Sequence, residues 1–382
     1  MSLYVQSHLK DMNRQVVFNV IAGKGVTSKA EISKLSGISV PTVIKIVNYL
    51  IEANLVKEIG AGESNLGRKP QLLTLNEDLM YFAVFFLEGE FLTYGLADIT
   101  GKIVHKKILR AHTPFGDVMA RIESDLIDAL LDETGISRDK LYSVGIAIPG
   151  IYDPDQKVIA SSPLIGVKEA TNISGHIRAI SKKYAVTVYV ENDTNAQCLG
   201  EFRASGMPAD KDLVFISVGS GIGCGVILGG ELRRGYHNMC GEIGYFSFLD
   251  DSGYDKEKCG WLESKVNYMA LEKEYGLGSA TDISSLNEEK TADLLRQVSI
   301  PLSLCVNNIA MLLDCESIRI GGVTANMLGN RLIRDINNRL KNICISDIRV
   351  EKQTQDDIGL IGLASILSDQ NVSNIILESN PG

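Results

Sequence analysis

Apolar residues Met12, Val16, Val17, Val20 and Ile21 recur over positions 9–22 at the spacing of one helix face, and Gly23 and Gly25 mark its end. A short second helix is expected over 30–35, because Thr27 and Ser28 precede Glu31 in the manner of a capping box. Gly37 follows where a tight turn needs a residue tolerant of positive φ. Ser39 then caps a third helix, on which Val43, Ile46, Val47, Leu50 and Ile51 share one stripe and Pro41, Thr42, Ile44, Lys45, Asn48 and Tyr49 fall on the other face. Residues 54–59 and 71–75 read as two strands that bracket a polar stretch ending Gly67-Arg68-Lys69-Pro70.

Beyond residue 78 the pattern changes to strands alternating with helices. Strands are expected at 81–87, 91–98 and 102–109, with a helix over 116–134; a second set begins at 213–218, 223–228 and 231–234. At an offset of 130, Gly89 falls on Gly219, Gly95 on Gly225 and Val84-Phe85 on Val214-Phe215. Such repetition predicts two like halves closing on a cleft. The chain therefore divides into a head, 1–77, and two lobes, 78–200 and 201–382.

Charge sharpens that division. Residues 1–76 carry nine Lys/Arg against five Asp/Glu, a net of +4, whereas the remainder carries −13 of the chain's −9. A polyanion is the natural partner of the head and not of the body. The seven cysteines are odd in number and never form a CxxC pair, which points to reduced thiols and a cytoplasmic setting. No uninterrupted apolar run of membrane-spanning length is evident, so no membrane partner is expected.

The three helices and turn glycine have the layout of a helix-turn-helix. Its third helix would present Ser39, Pro41, Thr42, Ile44, Lys45 and Asn48 to the major groove of duplex DNA, Lys45 and Thr42 reaching phosphates or base edges and Ile44 a thymine methyl. Gly67, Arg68 and Lys69 would form a wing tip suited to a narrow A·T-rich minor groove. In the body, the glycine-rich segment 219–225 lets backbone N–H groups approach an anion. Segments 190–196 and 241–245 add carboxylates and amides of the kind that bind sugar hydroxyls.

The helix-turn-helix, Ile148-Pro149-Gly150, Glu191-Asn192-Asp193-Thr194-Asn195-Ala196, Gly219 to Gly225 and Gly241-Glu242-Ile243-Gly244 together resemble the ROK family of repressors and sugar kinases. The resemblance implies an α/β chain: a winged helix-turn-helix followed by a duplicated actin-like, ribonuclease-H-like ATPase fold. It also implies that Asn192 and Asp193 hold a hexose, Asp193 at the catalytic-base position, with Glu242 and Glu263 contacting further hydroxyls.

Three departures decide what the resemblance can mean. Family kinases open the body with Asp-x-Gly-Gly-Thr, whereas Phe86-Leu87-Glu88-Gly89-Glu90 stands here. Glu88 and Glu90 facing a triphosphate would each cost about 1–4 kcal/mol at 4 Å. The family's zinc site becomes Tyr245 and a lone Cys259, and neighbouring His237 and Cys240 do not restore four ligands, so no metal or other cofactor is expected. Pro163-Leu164 replaces an Asn-Leu that commonly meets the sugar. Ser317 to Val323 resembles an adenine-flanking strand and Gly-Gly turn, which fold geometry alone also demands.

The expected protein is a homodimeric repressor, or a dimer of dimers, that binds a DNA operator and answers a monosaccharide without phosphorylating it. Asp193 is then a sugar ligand and no residue is catalytic. A sugar kinase carrying a DNA-binding head is the alternative, favoured by Asp193 and the glycine hairpin and opposed by Phe86, Glu88 and Glu90.

Overall fold

The computed structural model describes residues 2–61, 71–89, 91–110, 114–162, 165–167, 169–248, 260–277, 283 and 286–378. The head comprises α1 (Ser2–Lys24), β1 (Thr27–Ser28), α2 (Lys29–Ser36), α3 (Val40–Glu52), β2 (Val56–Ala61) and β3 (Gln71–Leu75), with strand order β1-β3-β2. Ser28 accepts from the Glu31 N–H and Thr27 donates to the Glu31 carboxylate at 3.0 Å, so the start of α2 is closed from both sides. Gly37 ends α2 at φ 70°, where a side chain would cost about 1–2 kcal/mol. The chain then bends by 116° between α2 and α3.

Val43, Ile46, Val47 and Leu50 of α3 are buried, while Ser39, Pro41, Ile44, Lys45 and Asn48 are exposed and Thr42 is half-buried. Three expectations are corrected in the head. Ser39 caps α3 through its backbone carbonyl, which accepts from Thr42 and Val43, and its hydroxyl bonds the Thr42 hydroxyl instead. Met12 and Val16 are 52% and 40% exposed, and Arg14, Val17, Phe18 and Ile21 form the buried stripe of α1. Tyr49, assigned above to the free face, is half-buried against the end of the chain. Gly67, Arg68 and Lys69 lie outside the described residues.

The body holds two five-stranded sheets. In the first, β4 (Tyr81–Glu88), β5 (Phe91–Asp98) and β6 (Ile103–Arg110) form a meander. The chain continues through α4 (Phe115–Arg121), a π-turn (Ile122–Leu126) and α5 (Ile127–Thr134) to β7 (Leu141–Ile148). A small sheet of β8 (Ile151–Asp153), β9 (Val158–Ser161) and β10 (Thr171–Asn172) precedes α6 (Ser174–Tyr184), β11 (Thr187–Asn192) and α7 (Asp193–Ala204). The second sheet uses β12 (Leu213–Val218), β13 (Ile222–Leu228) and β14 (Glu231–Leu232). After α8 (Trp261–Val266), α9 (Tyr268–Tyr275) and α10 (Glu288–Leu313) come β15 (Ile318–Gly321), α11 (Val323–Ile343), β16 (Val350–Lys352) and α12 (Ile358–Glu378).

Strand order is β11-β7-β4-β5-β6 in the first sheet and β16-β15-β12-β13-β14 in the second, with parallel and antiparallel neighbours in matching places. The duplication is therefore architectural, but a single offset does not survive the hairpin. Val84 pairs with Gly95, whereas Val214 pairs with Val226, because two residues separate Glu88 from Phe91 and three separate Val218 from Ile222. The Gly322 turn stands at φ 88°, where a Cβ would lie 2.6 Å from the Val218 carbonyl oxygen, so this glycine answers to packing.

By position, α12 falls within 201–382, the expected second lobe. It packs instead on the first sheet: Leu360, Leu363, Ala364 and Leu367 join Phe82, Val84, Phe86 and Ile99 in one core, which continues through Met80 into the head. The span Ile358–Leu377 is long and apolar enough by length and composition to cross a bilayer, although Asp369, Gln370, Asn371 and Asn374 interrupt it and half of it is buried within the fold. It crosses α7 at a glycine contact, where a Cβ on Gly200 would lie 1.7 Å from the Ile358 carbonyl oxygen and one on Gly362 1.8 Å from that of Ala196. Backbones this close leave room for no side chain.

Candidate functional site

The two meanders meet tip to tip. A Cβ on Gly89 would stand 3.3 Å from the Ser220 side chain, and one on Gly219 would stand 3.3 Å from Glu88 Oε1. Behind these tips a cleft of about 110 Å³ is lined from the first lobe by Glu88, Gly150, Asn192 and Asp193, and from the second by Gly219 to Gly223, Glu242, Tyr245 and Glu263. Asn192 and Asp193 reach it because β11 ends and α7 begins between them. Glu242 precedes the 3₁₀ turn Ile243–Tyr245, and Glu263 lies in the first turn of α8. Four carboxylates separated by up to 175 positions thus share one cavity.

Asn192 is committed in part to structure: its side-chain oxygen accepts from Asn195 N–H at 2.9 Å and its amide donates to the Gly150 carbonyl at 3.0 Å. One amide hydrogen and one lone pair remain. Buried Glu191 orients the segment, accepting from the Asn192 N–H, the Asn195 amide and the Tyr189 hydroxyl. Its other partner is Arg234, at 2.6 Å, from the segment after β14. Glu191 was legible as part of a motif; its pairing with an arginine 43 residues later was not, because nothing local links them.

Burial dominates the electrostatics. It pushes the Asp193 carboxyl up to about 8, aided by the charges of Glu88 and Glu242 and opposed by a hydrogen bond from Thr194 N–H. Burial and then Glu263 raise Glu242 to about 7, and burial alone raises Glu88 to about 6. Glu263 is raised by burial and partly relieved by the Gly260 backbone. An empty cleft at neutral pH therefore contains a mixture of acid and carboxylate, able both to donate to and to accept from hydroxyl groups.

Tyr245 is on the cleft wall and 46% exposed, while Glu90, Cys259, Pro163 and Leu164 lie outside the described residues. Among the described residues no cluster of three His, Cys, Asp or Glu side chains could hold a metal ion. His237 is exposed, Cys240 is half-buried, and burial raises the thiols of Cys224 and Cys240, as expected of packed sulfur.

A second candidate surface is the exposed face of α3, whose anchor is not readable from local sequence. The Arg14 guanidinium sits 3.6 Å over the Tyr49 ring and donates to the Ile376 carbonyl at 3.1 Å. The Tyr49 hydroxyl lies 3.2 Å from the Ile375 carbonyl and 3.0 Å from that of Ile376. Side chains from α1 and α3 thus donate to carbonyls near the end of α12, which ties the position of α3 to α12.

Residues 89–370 match the ROK family profile. The chain is 27% identical over 319 residues to the xylose repressor of Bacillus subtilis (strain 168), an alignment covering 81% of each chain. It is 26% identical over 275 residues to the N-acetylglucosamine repressor of Escherichia coli O157:H7, covering 69% of this chain and 64% of that one. Among solved structures it is similar to a ROK family transcriptional regulator homologous to the E. coli MLC protein, with TM-score 0.75, 22% identity and coverage of 97% and 98%. It is also similar to the ROK hexokinase from Thermus thermophilus, with TM-score 0.59, 21% identity and coverage of 77% and 100%. At these identities the structural likenesses establish fold: the enzyme shares the two-sheet body, and the regulator matches nearly the whole chain.

Proposed function

Since the chain belongs to the ROK family, we propose that it is a sugar-responsive transcriptional repressor of carbohydrate genes, acting in the cytoplasm as a homodimer whose heads grip an operator. The observation that carries this reading is the union, through α12, of an exposed helix face and a carboxylate-lined cleft. The head acts as a winged helix-turn-helix: α3 enters the major groove with Lys45, Thr42, Ile44 and Asn48 outward, and Gly67, Arg68 and Lys69 reach the flanking minor groove. The 116° bend and the exposed polar face support that docking. Two heads would span half-sites about one DNA turn apart, or a multiple of it.

In the cleft Asn192, Asp193, Glu242 and Glu263 bind the hydroxyls of a monosaccharide. Relatives are named for xylose and for N-acetylglucosamine, which frames the sugars worth testing. Sugar contacts to both lobes change the angle between the sheets. Because α7 begins at Asp193 and crosses α12 at Gly200 and Gly362, that change moves α12 and with it α3. The ligand alters DNA affinity only to the extent that it favours one lobe arrangement over the other.

Phosphoryl transfer is not part of this function. Phe86 packs against the start of α12, where a Cβ on Gly359 would lie 2.3 Å from its ring, and Glu88 occupies the hairpin contact. Catalysis of that reaction rests on charge neutralisation, which a carboxylate opposes. Retained Asp193 and the hexokinase-like body favour the second reading, a kinase with a DNA-binding head. Coupled ADP-release assays over a monosaccharide panel separate the two. No turnover is expected; turnover abolished by Asp193→Asn would establish the kinase. DNA binding is tested by affinity for duplex at 50–200 mM salt (about a fourfold range), where a steep inverse dependence is expected.

A further inference from the structure

Among the described residues, no Lys, Arg or His lines the cleft that gathers Glu88, Asp193, Glu242 and Glu263. Glu88 also borders a second cavity, of about 200 Å³, between the beginnings of α11 and α12. That cavity presents Asp356 and Asp357, together with buried side-chain oxygens of Gln197 and Asn326 that have no hydrogen-bond partner. Asp357 already holds Lys106 at 2.7 Å, and Arg234, on the cleft's flank, is held by Glu191. Both spaces adjoining Glu88 are therefore rich in acceptors and lack an uncommitted cation among the described residues.

The hairpin at 219–221 offers glycine backbone that could welcome an anion, and Glu88 leans on it: a Cβ at Gly219 would be 3.3 Å from Oε1. The Glu88 side chain makes no hydrogen bond or ion pair among the described residues, so no partner spends its charge. Uncharged hydroxyls lose nothing to such a wall, since they donate to carboxylates. A phosphate dianion or a uronate must approach with like charge and no counter-ion.

We propose that Glu88 sets the charge class of the effector, admitting an uncharged monosaccharide and excluding its phosphate ester or acid. The inference rests on the sugar-binding reading of the cleft and deepens it. One unit charge about 5 Å from another weakens binding by roughly fourfold at a dielectric constant of 80 and by a few hundredfold at 20.

The test uses the full chain and calorimetry at pH 7.5. Xylose, glucose and N-acetylglucosamine are compared with glucose 6-phosphate, N-acetylglucosamine 6-phosphate and inorganic phosphate. The expected result is that at least one neutral sugar binds and that its phosphate binds at least about tenfold more weakly. In Glu88→Gln the gap narrows by at least about fourfold, and Glu88→Ala gives the same trend without an amide in place. If no sugar of either kind binds, the sugar-binding reading fails. If a neutral sugar binds and its phosphate binds the wild type as tightly, or if both variants leave the gap unchanged, the sugar site stands and the role of Glu88 is overturned.

Discussion

Asp193 carries two roles that pull its carboxyl in opposite directions. As the first residue of α7 it accepts from Thr194 N–H, which favours the charged form, but burial beside Glu88 and Glu242 outweighs this and leaves it near 8. The sign of the consequence follows. A carboxyl whose folded value lies above its unfolded value binds more protons in the native state, so its contribution to stability falls as pH rises. The window runs from about 4 to about 8. Glu88, Glu242 and Glu263 face the same space and act in the same direction. Thermal melts of the ligand-free protein should therefore show lower Tm at pH 8 than at pH 6. Asp193→Asn, which keeps an oxygen for the Thr194 N–H, should raise stability at pH 8 by on the order of 2 kcal/mol and flatten the trend. A Tm at pH 8 below that of the wild type would contradict the burial argument. The identity of these residues was legible because each stands in a short motif, but their charge state was not. It depends on Glu88, at the end of β4, and Glu242, before the 3₁₀ turn Ile243–Tyr245, arriving from more than a hundred positions apart.

At the scale of elements, helix and strand periodicity placed most of the fold. The strands Phe91–Asp98 and Leu213–Val218 coincide with the expected ranges, and of the expected stripe of α3 Val43, Ile46, Val47 and Leu50 are buried while Ile51 is half-buried. Failures arose where an element's face is chosen by a distant partner. On α1, two adjacent stripes are comparably apolar; the choice of Val17, Phe18 and Ile21 over Met12 and Val16 goes with the docking of α12, as does the burial of Arg14. The packing of α12 has the same origin: its residues fall within 201–382 yet cover the first sheet, and nothing in its sequence says which sheet it covers. The α7–α12 crossing can be tested by stability: Gly362→Ala places a methyl 1.8 Å from the Ala196 carbonyl oxygen and should cost about 3 kcal/mol or more in chemical denaturation. A cost under about 1 kcal/mol, the usual cost of a tolerated core substitution, would mean the helices separate readily. Coupling is tested at Tyr49. In Tyr49→Phe the carbonyls of Ile375 and Ile376 lose their hydroxyl partner, while the exposed face of α3 is unaltered. Duplex affinity without sugar should stay within about tenfold, and the ratio of affinities with and without sugar should move toward one. An unchanged ratio in anisotropy titrations would remove Tyr49 from the pathway.

For the whole molecule, duplication supplies the cleft and the head supplies the readout. The body is continuous with the head through Met80 and α12 in a single core, so the heads do not swing as independent beads on linkers. In the proposed homodimer, that continuity would let a change of lobe angle alter the separation of the two heads. The charge asymmetry visible in the sequence divides in the same way: the net positive segment 1–76 belongs to the head and the acidic cleft to the body. The most direct measurement is fluorescence anisotropy of the full chain on a duplex recovered by selection from genomic fragments, with and without the monosaccharide that calorimetry identifies. The account predicts salt-dependent binding that saturating sugar weakens by at least about tenfold, as expected of a coupling near 1.4 kcal/mol. Sugar that binds the cleft while leaving duplex affinity unchanged, or a chain that binds no duplex at all, would contradict it.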